Sequence, residues 1–180
     1  MDWINTYAEA LEFATLAHDG QRRKWGNLSP YIIHPIRVSK RIISLTGNLC
    51  LATAGLLHDT IEDTNITFDV LKEKFGSKIA ELVESVTKRK DIQRKSERED
   101  EYLQRFSMAS VDTVVLKLAD RMDNIVDSVN APPQFRDGYI RNTIQLLDTI
   151  PKYTTTDQFV ISLLKEITAW TINGYIAEPK

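Results

Sequence analysis

Apolar residues recur at helical spacing along nearly all of this 180-residue chain, and no stretch alternates apolar and polar side chains for long enough to make a strand. The chain is therefore expected to be all-α, one domain over residues 1–180 built from about eight to ten helices. Ile4, Tyr7, Ala8, Leu11, Ala14 and Leu16 mark a first stripe, closed by Asp19-Gly20. From Gly20 to Ser29 the residues turn polar, which predicts an ordered loop. Pro30 to Ile33 is expected to be extended, with Pro35 opening a second helix to about Leu45. From Leu49 to about Ile61 the chain carries Leu51-Ala52-Thr53-Ala54-Gly55-Leu56-Leu57, apolar on nearly every side, as suits a central helix enclosed by others. Further helices are expected from Thr67 to Gly76, Ser77 to Val86, Glu99 to Ala109, Val111 to about Val129, Pro133 to Ile150 and Asp157 to Ile176. Lys88 to Glu101 mixes both charges with a single large aliphatic residue, Ile92, and reads as a mobile loop or a solvated helix start.

A chain of this size buries roughly 70% of its unfolded surface and needs no disulfide or structural metal to hold a core. Its 23 Lys+Arg nearly cancel 25 Asp+Glu, for a formal charge of -2. That balance removes the electrostatic case for general binding to nucleic acid or to an anionic membrane, so an anionic ligand must meet a local basic cluster. Cys50 is the lone cysteine, which rules out an intrachain disulfide and a thiolate zinc site and makes a cytoplasmic setting the default. The amino terminus lacks a basic flank followed by an apolar run, and nowhere do 18 apolar residues follow one another. Secretion and membrane spanning are not expected.

His34 precedes Pro35 at a helix start, and His58-Asp59 closes the apolar central helix just before Thr60-Ile61-Glu62-Asp63. If the helix continues that far, His58 shares a face with Glu62 and Asp59 with Asp63. Four ionisable groups at the end of an apolar helix cost desolvation energy unless a cation or hydrogen bonds compensate. A His-Asp pair there is otherwise a cap with a solvated side chain. Asp120 adds to the case, because it lies one turn from Asn124 among Val114, Val115, Leu116, Leu118 and Ile125, where a carboxylate needs a partner. Together His34, His58, Asp59 and Asp120 supply two imidazoles and two carboxylates, a donor set suited to Mn, Fe or Zn better than to Ca or Mg.

This His…His-Asp…Asp order resembles the HD superfamily of metal-dependent phosphohydrolases. More narrowly, Ala17-His18-Asp19-Gly20-Gln21-Arg22-Arg23-Lys24, Tyr31-Ile32-Ile33-His34-Pro35, Gly55 through Thr64, Lys117-Leu118-Ala119-Asp120-Arg121, Phe75-Gly76 and Leu82 through Lys88 resemble the hydrolase domain of the Rel/Spo alarmone enzymes. The resemblance covers most of residues 3–130 and implies a helical HD-domain fold in a stand-alone small alarmone hydrolase. The implied reaction is Mn2+-dependent removal of the 3′-pyrophosphate from guanosine tetra- or pentaphosphate (ppGpp or pppGpp), with another divalent transition metal as the alternative.

By the same resemblance His34, His58, Asp59 and Asp120 match the metal ligands, and Glu62 and Asp63 match an acidic pair that handles protons at the attacking water and the leaving oxygen. Arg23 matches a residue at the nucleotide base, Lys24 one near phosphate, and Asn124 one near the ribose. Each has a plainer reading: a solvated acidic turn, a solubilising basic loop, a polar surface residue. His18, ending the first helix, is expected to bond carbonyls there, and Trp3, Trp25, Trp170 and Cys50 to be packing or surface residues. The chain also departs from the family pattern. The loop from Lys24 to Tyr31 is longer than usual, and Asp123 stands where many relatives carry His or an aromatic residue, adding negative charge one turn from the expected polyphosphate. Lys88, Arg89, Lys90, Arg94 and Lys95 face either substrate phosphate or water. Two other functions fit these residues: a related phosphohydrolase acting on another nucleotide, and a nucleotide sensor without turnover.

Overall fold

The computed structural model describes residues 2–25 and 28–173. Among them it contains ten α-helices and no strand; the extended pairing is a single bridge between Arg22 and Pro30. The all-α expectation holds. The helices are α1 (Trp3–Ala17), α2 (Ile33–Thr46), α3 (Leu49–Leu57), the single turn α4 (Thr60–Asp63), α5 (Phe68–Phe75), α6 (Ser77–Val86), α7 (Lys95–Phe106), α8 (Val111–Ser128), α9 (Pro133–Asp148) and α10 (Gln158–Asn173). Side-chain caps set several starts: Asp2 accepts from the Ile4 and Asn5 amides, Asn48 from Leu51, Ser110 from Thr113, and Asp157 from Phe159 and Val160. Gly47 closes α2 in the left-handed conformation, where a side chain would be strained.

α3 is the enclosed helix its composition demands. Cys50 through Leu57 are all buried, and α1, α2, α6 and α8 pack around it. Gly55 lets α2 come close: a Cβ there would lie 2.9 Å from Ile42 Cδ1 and 3.2 Å from the Ser39 Cα. α8 is the second organising element, contacting α2, α3, α6, α9 and α10. Its buried residues include Lys117, Asp120, Arg121, Asp123 and Asp127, an unusual charge load for a core helix.

Three boundaries differ from expectation. The central helix stops at Leu57, because the His58 Nδ1 and Thr60 Oγ1 take the carbonyls of Gly55 and Leu57 that a continuing helix would use. Tyr31 and Ile32 form a turn and α2 already begins at Ile33. Pro35 falls in its first turn, where a missing N–H costs no bond. α7 begins at Lys95 rather than Glu99; buried Tyr102, Leu103 and Phe106 anchor it, while Arg94–Glu97 and Arg105–Glu101 pairs line its outside. The same mixed-charge stretch is therefore half helix. The expected end of the last helix at Ile176 lies outside the described residues, as does the loop tip at 26–27.

Candidate metal centre and nucleotide cavity

α2 delivers His34 from its first turn, the end of α3 delivers His58, and α8 delivers Asp120, three buried residues far apart in the chain. One ligand-type atom from each lies within 4.8 Å of the others. The two imidazoles meet edge to face, with Nε2 atoms 3.2 Å apart. Asp120 Oδ1 is 3.3 Å from His34 Nε2 and 3.7 Å from His58 Nε2. Asp59 Oδ2 is 3.5 and 3.2 Å from the same two nitrogens. His34, His58 and Asp120 thus form one compact donor group, and Asp59 approaches its two imidazoles.

The outer partners orient the rings. His58 Nδ1 lies 2.9 Å from the Gly55 carbonyl, which can only accept, so this nitrogen carries the hydrogen and the Nε2 lone pair faces inward. His34 Nδ1 lies 2.6 Å from Asp123 Oδ2, with the same consequence for its Nε2. Two lone pairs facing each other repel unless a proton or a metal cation lies between them. Burial lowers the His34 pKa, but its hydrogen bonds to Asp120, Asp123 and Asp59 override it and push the value up to about 9. Burial likewise opposes the charge of His58, and Asp59 and Asp120 override it, holding its pKa well above the ordinary value. Against their own burial, Asp59 is held well below the usual carboxylate range by His58 and His34, and Asp120 by Lys117 and the two imidazoles. A divalent cation binding here would displace these protons.

The acidic pair does not point as a continuous helix would direct it. Because the chain breaks after Leu57, His58 turns back to Gly55, and Glu62 Oε2 accepts from the Lys88 amide at 2.9 Å. The Asp59–Asp63 relation does survive, since the Asp63 amide donates to the Asp59 carbonyl at 2.8 Å. Tyr31 joins the two acids: its hydroxyl is 2.6 Å from Asp59 Oδ2 and 2.9 Å from Asp63 Oδ2. Burial raises the pKa of Glu62, and burial with the Asp59 charge raises that of Asp63. Both line a cavity of about 530 Å³ together with Gln21, Asn65 and Lys90.

Arg23, Lys24 and Asn124 meet in a second cavity, of about 230 Å³, walled by Trp25, Tyr31, Phe135 and Tyr139. Arg23 donates to Asn124 Oδ1 at 2.6 Å and Asp127 Oδ2 at 3.0 Å, with its guanidinium 5.4 Å from the Tyr31 ring centroid. Lys24 Nζ sits 4.9 Å from the Trp25 ring centre and 5.9 Å from that of Phe135. Trp25, read from sequence as a packing or surface residue, lines this cavity, and its buried Nε1 has no partner among the described residues. Asp123 departs from expectation too: it faces His34 and Arg37. His18 Nδ1 pairs with the Gln21 side-chain oxygen at 2.8 Å rather than with a backbone carbonyl.

Sequence reasoning missed Tyr31, Arg37 and Lys117 as individual residues. Lys117 carried a signal, three residues before Asp120 on an apolar helix. Arg37 carried a weaker one, three residues after His34, and Tyr31 carried none in spacing.

The HD domain family matches this chain over residues 10–147. A guanosine-3′,5′-bis(diphosphate) 3′-pyrophosphohydrolase of Aquifex aeolicus is 43% identical over 118 residues, 64% of this chain. The chain spans only 17% of the length of that relative. The protein named guanosine-3′,5′-bis(diphosphate) 3′-pyrophosphohydrolase MESH1 in Danio rerio is 38% identical over 129 residues, 70% of this chain and 71% of its own. A solved structure described as a metazoan ortholog of SpoT that hydrolyzes ppGpp superposes with a TM-score of 0.78 at 30% identity, covering 91% of this chain and 94% of the other. Among the described residues no helix is long and apolar enough to cross a membrane.

Proposed function

This chain belongs to the HD domain family, and we propose that within it the protein is a divalent-metal-dependent hydrolase that releases pyrophosphate from the 3′ position of ppGpp or pppGpp, leaving GDP or GTP. The observation that carries this reading is the 3.2 Å approach of two inward-facing imidazole nitrogens between Asp59 and Asp120. His34, His58, Asp59 and Asp120 would hold the metal; their mixed nitrogen and oxygen donors suit Mn2+, Fe or Zn, and the family resemblance selects Mn2+ among them. A bound divalent ion supplies Lewis acidity at phosphorus and brings the pKa of its water toward neutrality.

The remaining work falls to the chain itself. An oxygen–phosphorus bond forms to water as the bond from phosphorus to the ribose 3′-oxygen breaks, so one proton leaves the water and one reaches the 3′-oxygen. Glu62 and Asp63 would serve those transfers, and burial makes each a stronger base than a solvated carboxylate. Tyr31 steers Asp59 and Asp63 from one hydroxyl. In the smaller cavity Arg23 and the rings of Trp25, Phe135 and Tyr139 offer flat faces to a purine, and the Trp25 N–H, without a partner among the described residues, offers a donor to it. Asn124, bonded to both Arg23 and Asp120, joins base and metal regions. This reading places the protein in the cytoplasm, in keeping with one buried free cysteine.

Incubating the purified protein with ppGpp and Mn2+ and identifying the products tests the proposal. GDP and pyrophosphate are expected, with loss of turnover in chelator. Intact ppGpp beside rapid conversion of another nucleotide would assign a different substrate, and tight nucleotide binding without turnover of any would make the protein a sensor.

A further inference from the structure

The two imidazoles of the metal centre are oriented by unlike partners. His58 leans on a backbone carbonyl, which no substitution of a side chain can remove. His34 depends on a single carboxylate, Asp123, which reaches it from 89 residues away in sequence. Asp123 in turn is gripped by Arg37, whose Nε donates to Oδ1 at 2.7 Å and whose terminal nitrogen donates to Oδ2 at 3.0 Å. The same terminal nitrogen also reaches both oxygens of Asp127 at 2.9 Å. Asp127 accepts from Arg23 of the nucleotide cavity. A line of charged hydrogen bonds therefore runs Arg23, Asp127, Arg37, Asp123, His34.

We propose that Asp123, held by Arg37, is the positioning residue of the metal centre: it keeps the hydrogen of His34 on Nδ1 and turns the Nε2 lone pair to the metal. The inference rests on the metal-dependent reading above. Its chemical basis is general, since a ligating imidazole that donates its outer N–H to a carboxylate is fixed in tautomer and angle and becomes a stronger donor. Arg37 reaches His34 only through Asp123, while its second partner, Asp127, leads to Arg23. Arg37 is partly exposed and keeps Asp127 as a partner when Asp123 is removed, so the substitution leaves no cation stranded in the core.

Mn2+ titration of the metal-stripped protein, followed by calorimetry, decides the matter without reference to turnover. Asp123→Ala should weaken Mn2+ binding by about 10–100-fold. Asp123→Asn should recover most of that loss, because an amide oxygen still accepts from Nδ1–H. Arg37→Met should weaken binding by less than Asp123→Ala, and adding it to Asp123→Ala should cost nothing further. Wild-type affinity in Asp123→Ala overturns the inference while leaving the metal centre intact, and so does an Asp123→Asn protein as weak as Asp123→Ala. Additive losses in the double variant remove Arg37 from the relay. Failure of the wild-type protein to bind Mn2+ at all brings down the metal reading itself.

Discussion

Lys117 Nζ sits 2.8 Å from Asp120 Oδ2, three residues along α8, and both side chains are buried. The pair divides the work of one carboxylate. Oδ2 is neutralised by the ammonium, while Oδ1 faces the imidazoles and accepts from Asn124 Nδ2 at 2.5 Å. Burial works against the Lys117 charge, yet Asp120 more than offsets it and holds the pKa above the ordinary lysine value.

Removing the ammonium leaves Asp120 in the core with less compensation. Lys117→Met should destabilise the metal-free protein by about 3–5 kcal/mol, the usual cost of breaking a buried pair. Bound Mn2+ supplies a replacement cation, so the loss should shrink in its presence. Denaturant unfolding with and without Mn2+ measures both, and an equal loss in the two states would contradict the role given to this pair.

The raised pKa of His34 makes metal-free stability depend on pH. Its ordinary value is 6.5 and its folded value about 9, so the protonated imidazole stabilises the fold fully below pH 6.5, and this contribution disappears as pH rises through 9. The size is on the order of 3 kcal/mol. Mn2+ replaces the proton, so affinity for the ion should climb across the same window and binding should release protons. Thermal melts and calorimetry in buffers of different ionisation enthalpy would show it; a flat apo profile from pH 6.5 to 9 would refute it.

Tyr31→Phe removes the hydroxyl shared by Asp59 and Asp63 and keeps the ring beside His18 and Arg23. A hydrogen bond to a charged acceptor contributes about 1.5–3 kcal/mol, so kcat should fall by roughly 10–100-fold. KM should hold, because the base cavity is unchanged. Steady-state kinetics on ppGpp separates the two parameters, and a defect confined to KM would place Tyr31 at the substrate instead.

In the cavity lined by Arg23 and Trp25 the opposite split is expected. Arg23→Ala or Trp25→Leu removes flat surface from the wall, and stacking against a base is worth about 1–3 kcal/mol. KM for ppGpp should rise by roughly 5–100-fold with kcat nearly retained. Quenching of tryptophan fluorescence by GDP, lost in Trp25→Leu, is an independent readout. An unchanged KM in both variants would return this loop to a solubilising role.

Helical periodicity, the enclosed character of α3 and the helix start at Thr67 were legible because they rest on neighbours within a turn or two, where sequence spacing is spatial spacing. The donor types were legible too: His34, His58, Asp59 and Asp120 stand out as ionisable groups in apolar surroundings. Only the packing of α2 against α3 and α8 decided that they converge, that His34 takes Asp123 as its partner, and that Asp123 is held by Arg37 as well. The break after Leu57, which sends Glu62 to the Lys88 amide, also came from side chains competing for carbonyls, a contest that residue spacing does not resolve. Local order follows from near neighbours along the chain. The site joins residues such as Arg23 and Asp127, 104 positions apart, and their meeting depends on how whole helices fit together.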